Sequence, residues 1–202
     1  MNTARTATLK PISIRALFSA SLLTLLALIL LITPALAKAP GEGVVFEGKN
    51  VPGAALGDTR ELVIKNYGDP VRCDNLYATS RFSNRSYTCS FAVEGGGIVD
   101  IRFEHSYLSP LPIGYDKVTF IRWSQEVVNW TTTAGINTKI ALGEPKAVLE
   151  AYPDASVKYN STGEIVQVRD AKLGIQVDWL TNSSDQERAT GLISMAIFPP
   201  GR

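Results

Sequence analysis

The chain has 202 residues, with 20 Lys and Arg against 19 Asp and Glu, one histidine and two cysteines. No basic run follows residue 38, so the balance argues against a nucleic-acid partner, whose phosphates need clustered Lys and Arg. A single imidazole argues equally against a metal cage of three or four His and Cys ligands, and no cofactor is expected.

Residues 1–37 carry Arg5, Lys10 and Arg15 without an acid, then the apolar run Ala16 to Ile32, then Pro34 and Ala35-Leu36-Ala37. That order is a secretory signal peptide with cleavage expected after Ala37. The alternative is an uncleaved signal anchor, because the 17 residues of the run lie at the lower limit for spanning a bilayer. Cleavage leaves residues 38–202 with 17 basic and 19 acidic side chains, no membrane segment, and a secreted, periplasmic or cell-envelope location.

Residues 38–52 read as an N-terminal lead-in, with 38–43 an untethered terminus. From Gly53 the sequence says nearly the same thing twice. Leu56-Gly57-Asp58-Thr59-Arg60-Glu61-Leu62-Val63 returns as Leu142-Gly143-Glu144-Pro145-Lys146-Ala147-Val148-Leu149. Each copy runs on to a tyrosine, a helix breaker and an acid: Tyr67-Gly68-Asp69 and Tyr152-Pro153-Asp154. The copies lie 86 residues apart at Gly57/Gly143 and 85 apart at Tyr67/Tyr152, too wide for a solenoid repeat.

Each copy predicts a short helix. Asp58 with Glu61 three residues later has the spacing of a capping box, and Gly68 and Pro70 end the first helix. Pro145 suits the first position of the second, which Pro153 stops. Strand patterns follow. Ser86 to Val93 alternates, as does Ile98 to Glu104, with Val99, Ile101 and Phe103 on one face and Asp100, Arg102 and Glu104 on the other. Leu173, Ile175, Val177 and Trp179 alternate likewise with Gln176 and Asp178. Further strands are expected at 76–82, 118–123, 165–168 and 192–198, separated by turns at Ser83-Asn84, Gly95 to Gly97, Asn160 to Gly163 and a polar loop over 181–190.

In an exported chain Cys73 and Cys89 read as a disulfide, which should contribute ~3 kcal/mol by closing a loop of about 15 residues. The expected class is α+β. A first module over 53–128 holds the disulfide, 129–135 is a linker, and 136–202 is a second module. Each module is a short helix on a small antiparallel sheet.

The tandem order of apolar-Gly-Asp, short helix, Tyr-Gly and strand meander resembles the fold of β-lactamase inhibitory proteins. A single copy resembles the SmpA/OmlA family of small outer-membrane assembly lipoproteins. The likeness spans Gly53 to Trp123 and Ile136 to Pro199. It implies a disulfide that staples strands within a module and a protein that binds rather than reacts. The second module has no disulfide, the lipoproteins' anchoring cysteine is absent, and no residue matches the inhibitors' enzyme-contacting positions.

Catalytic constellations are sparse. His105 precedes Ser106 and Ser109, and a hydrolase would use it as general base in a groove between the modules near Asp178. A loop histidine is the plainer reading. Gly95-Gly96-Gly97 lacks the Lys-Ser/Thr of a phosphate loop. The expectation is therefore a non-enzymatic module, inhibitor- or assembly-like, that docks an extracytoplasmic protein on its polar sheet face. That face would comprise Arg81, Thr88, Ser90, Asp100, Arg102, Glu104, Gln176 and Asp178. A secreted hydrolase and a membrane-tethered scaffold are the alternatives.

Overall fold

A computed structural model describes residues 38–74, 85–105, 112–182 and 185–201. The leader, Arg81, the expected strand over 76–82, Ser106 and Ser109 lie outside the described residues. Among the described residues no helix is long and apolar enough to cross a membrane.

The elements run β1 (Gly43–Val45), β2 (Asn50–Val51), β3 (Ala54–Ala55), α1 (Arg60–Tyr67), β4 (Arg72–Asp74), β5 (Arg85–Ala92) and β6 (Ile98–His105). A 3-10 turn (Ile113–Tyr115), β7 (Lys117–Ser124), β8 (Trp130–Thr132), α2 (Thr138–Gly143) and α3 (Pro145–Ala151) follow. The chain closes with β9 (Ser156–Tyr159), β10 (Ile165–Asp170), β11 (Ile175–Asn182) and β12 (Asp185–Ile197).

The expected α+β class is corrected. Among the described residues strand dominates over three short helices, so the protein is mostly β. There are not two small sheets but one antiparallel sheet of eight strands, in the order β4-β5-β6-β7-β12-β11-β10-β9. Each half retains the order of a helix followed by four strands. The last strands of the two halves pair directly, from Ser124 with Ser194 to Ile121 with Ile197. The register along each strand is local, but this pairing joins residues seventy or more positions apart and leaves no local sequence signal.

Helix-end chemistry is partly redistributed. Thr59, not Asp58, caps α1, its hydroxyl accepting from the Leu62 N–H at 3.2 Å. Asp58 instead closes the preceding turn by accepting from the Ala55 N–H at 2.7 Å. Gly68, at φ +80°, ends the helix in a conformation that strains any residue with a Cβ. Pro145 does open α3. α2 falls outside the two expected helices, and Asn137 caps it by accepting from the Ile140 N–H at 2.9 Å.

One sheet face carries the core. Tyr87, Cys89, Phe91, Val99, Ile101, Phe103, Ile121, Trp123, Val177, Ile193, Met195 and Ile197 are all buried there against Val63, Ala141 and Val148 of the helices. Leu173, expected inward, sits in the turn before β11 and is 46% exposed. The polar loop expected over 181–190 is largely strand, since β11 reaches Asn182 and β12 begins at Asp185.

The N-terminal lead-in is fastened rather than free. Ala39 is fully buried and bridges Val93, while β1 pairs in parallel with β8 inside the stretch read as a linker. The Trp130 indole N–H donates to the Pro40 carbonyl at 2.8 Å. Cys73 and Cys89 form the disulfide, joining directly paired residues of β4 and β5. Such a bond is the chemistry of an oxidising, extracytoplasmic compartment.

The tyrosines that mark the repeat are both structural. Tyr67 is buried with its hydroxyl on the Pro52 carbonyl; Tyr152 is buried with its hydroxyl on Thr132 at 2.8 Å and Glu47 at 3.1 Å. Burial pushes both phenols well above their ordinary value of 10.0, with nearby Asp58 adding to the effect at Tyr67 and Glu47 at Tyr152. Each therefore contributes stability that is full below pH 10.0 and is lost as the pH rises beyond it, where the unfolded phenol ionises first. Alkaline denaturation followed by phenolate absorbance should show these two tyrosines ionising only with unfolding. Tyr67→Phe with Tyr152→Phe should flatten the loss of stability above pH 10.0. An unchanged slope would contradict the assignment.

Candidate functional site

The face opposite the core is polar from edge to edge. One register row crosses all eight strands: Arg72, Ser90, Asp100, Arg122, Ala196, Gln176, Arg169 and Ser156. Because strand residues alternate between faces, every second residue along each strand joins this row on the same side. The face thus also holds Thr88, Arg102 and Glu104 on the first half, and Gln167, Asp178 and Ser194 on the second.

Seven of the eight residues expected to form the binding face accordingly share it, and Arg81 lies outside the described residues. They form two groups rather than one. On the first half the Ser90 hydroxyl donates to Asp100 at 2.6 Å and faces the Arg72 Nε at 3.4 Å. On the second half Gln176 Nε2 donates to both Asp178 oxygens, at 2.9 and 2.8 Å, and Gln167 Nε2 donates to Asp178 at 2.7 Å. Gln176 and Ser90 are buried within these networks, at 8% and 4% exposure, so they brace the face more than they present themselves to a ligand.

Between the groups lies a cluster whose Phe120, Arg122, Arg169 and Phe198 are not among the expected face residues. The guanidinium groups of Arg102 and Arg122 each stand 5.3 Å from the centre of the Phe120 ring. Arg169 lies 3.9 Å over Phe198 and donates through Nη1 to Gln176 Oε1 at 2.6 Å. Cation–π contacts of this kind hold a guanidinium in place over the ring. Arg102 and Arg122 are exposed, and neither has a carboxylate within 4.0 Å among the described residues. The small Ser194 and Ala196 of β12 form the floor beside them. Phe198 reaches its place because Gly174, at φ +76°, accepts the chain so closely that a Cβ there would meet the Phe198 carbonyl.

Two hollows flank this cluster. One, of about 240 Å³, is lined by Arg102, Glu104, Phe120, Arg169, Phe198 and Pro199 among others. The other, of about 420 Å³, lies over Arg122, Gln167, Gln176 and Asp178. On the helix-covered side a mostly apolar cleft of about 460 Å³ opens between Leu142, Pro145 and Lys146 and the turn at Gly163.

His105 occupies the outer end of β6. Its Nδ1 hydrogen-bonds the Asp116 carboxylate, which is buried and also accepts from the Tyr87 hydroxyl at 2.7 Å. A carboxylate on Nδ1 fixes the imidazole tautomer and leaves Nε2 as the available nitrogen. The structure does not bring His105 together with Asp178: β7 and β12 lie between their strands, a separation of at least ~14 Å at the usual strand spacing. Among the described residues no group of three or more His, Cys, Asp and Glu side chains is placed to hold a metal ion. No protein-family model matches the chain, and no curated protein or solved structure matches it either.

Proposed function

We propose that the protein is an exported binding protein that docks a protein partner on the polar face of its eight-stranded sheet. The observation that carries this reading is the pair of arginine–phenylalanine stacks at the centre of that face, Arg102 and Arg122 on Phe120 and Arg169 on Phe198. Arginine and aromatic side chains dominate the energy of protein interfaces, above all when they are central and already held in one rotamer. Fully paired strands support the stacks, so little ordering entropy remains to be lost on docking. The tandem motif and its resemblance to inhibitory and assembly proteins support the same class of role. On this reading the leader is removed after Ala37, and the protein works in the cell envelope or beyond it.

Affinity capture from envelope and culture-supernatant extracts of its source tests the reading. Arg122→Glu should lower recovery of a saturable protein partner about ten-fold, as loss of a central arginine does. Lys146→Glu, on the exposed side of α3, should leave recovery unchanged. Equal capture by the native protein and Arg122→Glu would place the docking surface elsewhere.

A second reading, a hydrolase using His105 as general base, draws on the Asp116 carboxylate that orients the imidazole. Ester and peptide turnover that vanishes in His105→Ala, with the thermal midpoint unchanged, would favour it over docking. Turnover absent from the native protein, or retained in the variant, would dismiss it.

A further inference from the structure

The hollow of about 240 Å³ on the polar face, beside the end of β12, has a chemistry more specific than that of the face as a whole. Its walls are two guanidinium groups, Arg102 and Arg169, and two phenyl rings, Phe120 and Phe198. Among the described lining residues Glu104 is the one carboxylate, set against the guanidinium groups of Arg102 and Arg169. Glu104 also stands opposite Lys117 in the register of β6 and β7, which further offsets its charge. Residues 38–202 are slightly acidic as a whole, so this pair of guanidinium groups is a local feature and not a reflection of composition.

The two arginines are held differently. Arg169 is anchored over Phe198 and by its bond to Gln176, while Arg102 is exposed and lies over the Phe120 ring. A planar guanidinium carries paired N–H donors, the geometry that grips a carboxylate through two oxygens. The adjoining phenyl rings and Pro199 add an apolar wall within reach of whatever bears that carboxylate.

We infer that this hollow is a binding site for a carboxylate borne on an apolar or aromatic group, with Arg102 as its principal ligand-facing donor. The inference rests on the docking reading in one respect: an acidic side chain on a docked protein would supply such a group. A free aromatic acid has the same chemistry and is the other source.

Two-dimensional NMR titration of the protein with phenylacetate, and with phenethylamine as the oppositely charged match, tests the site. Phenylacetate should bind saturably at about millimolar concentration, a fitting strength for so small a ligand. The shifts should centre on Arg102, Phe120, Arg169 and Phe198, and the amine should bind about ten-fold more weakly. Arg102→Gln should weaken phenylacetate about ten-fold with unchanged spectra elsewhere. Equal binding of acid and amine, no saturable shift, or full binding in Arg102→Gln would overturn the site.

The source is then separated by competition. Displacement of a captured protein by phenylacetate identifies an acidic side chain of that partner as the occupant, and binding without displacement identifies a free acid. The two claims fail separately. Capture sensitive to Arg122→Glu with no phenylacetate binding keeps docking and removes this site. Phenylacetate binding with no captured partner keeps the site and removes docking.

Discussion

Four residue pairs hold this architecture together: Ser124 with Ser194, Trp123 with Met195, Arg122 with Ala196 and Ile121 with Ile197, where β7 meets β12. Remove that seam and the large sheet becomes two four-stranded meanders, each with a new open edge. The inward members of the seam are Ile121, Trp123, Met195 and Ile197, all fully buried. At ~1.5–3 kcal/mol for each large apolar side chain removed from water, their burial outweighs anything the seam's hydrogen bonds contribute. Trp123 extends the arrangement, packing against Trp130 at 5.8 Å, and Trp130 in turn is tied to Pro40. The N-terminal segment thus straps the two halves from the core side.

The outward members of the same seam are Arg122, Ser124, Ser194 and Ala196. The alternation that sinks Trp123 and Met195 therefore sets the position of the polar cluster on the other side. Small side chains on β12 leave room above the seam, and the arginines of β6, β7 and β10 lean over it onto the Phe120 and Phe198 rings. Core packing and surface chemistry are two consequences of one strand pairing. A substitution that disturbed the seam would be felt on both faces.

Much of this was legible in the chain and some was not. The alternation of β6 placed Asp100, Arg102 and Glu104 opposite Val99, Ile101 and Phe103 without ambiguity, and the structure agrees. The cluster on β7 was harder to see because the strand is not regular. A register shift facing Arg102/Phe103 inserts Thr119, so Val118 points inward while Phe120, two residues on, points to the polar face. Strict alternation cannot assign both. Phe198 carries no local signal of its side either. An apolar residue at a strand end reads as core, yet it is buried beneath Arg169 on the opposite side. The seam itself had no local signature at all. The repeat suggested two equal parts, and nothing in either copy says that their last strands should meet.

The central claim is that the two halves form one sheet whose seam is as firm as its interior. Native-state amide hydrogen exchange tests it most directly. The account predicts that the hydrogen-bonded amides of 121–124 and 194–197 exchange only through global unfolding, as slowly as those in the middle of β6 and β11. Seam amides that exchange much faster than the strands on either side would mean that the halves open independently, and the polar face could not then act as a single surface.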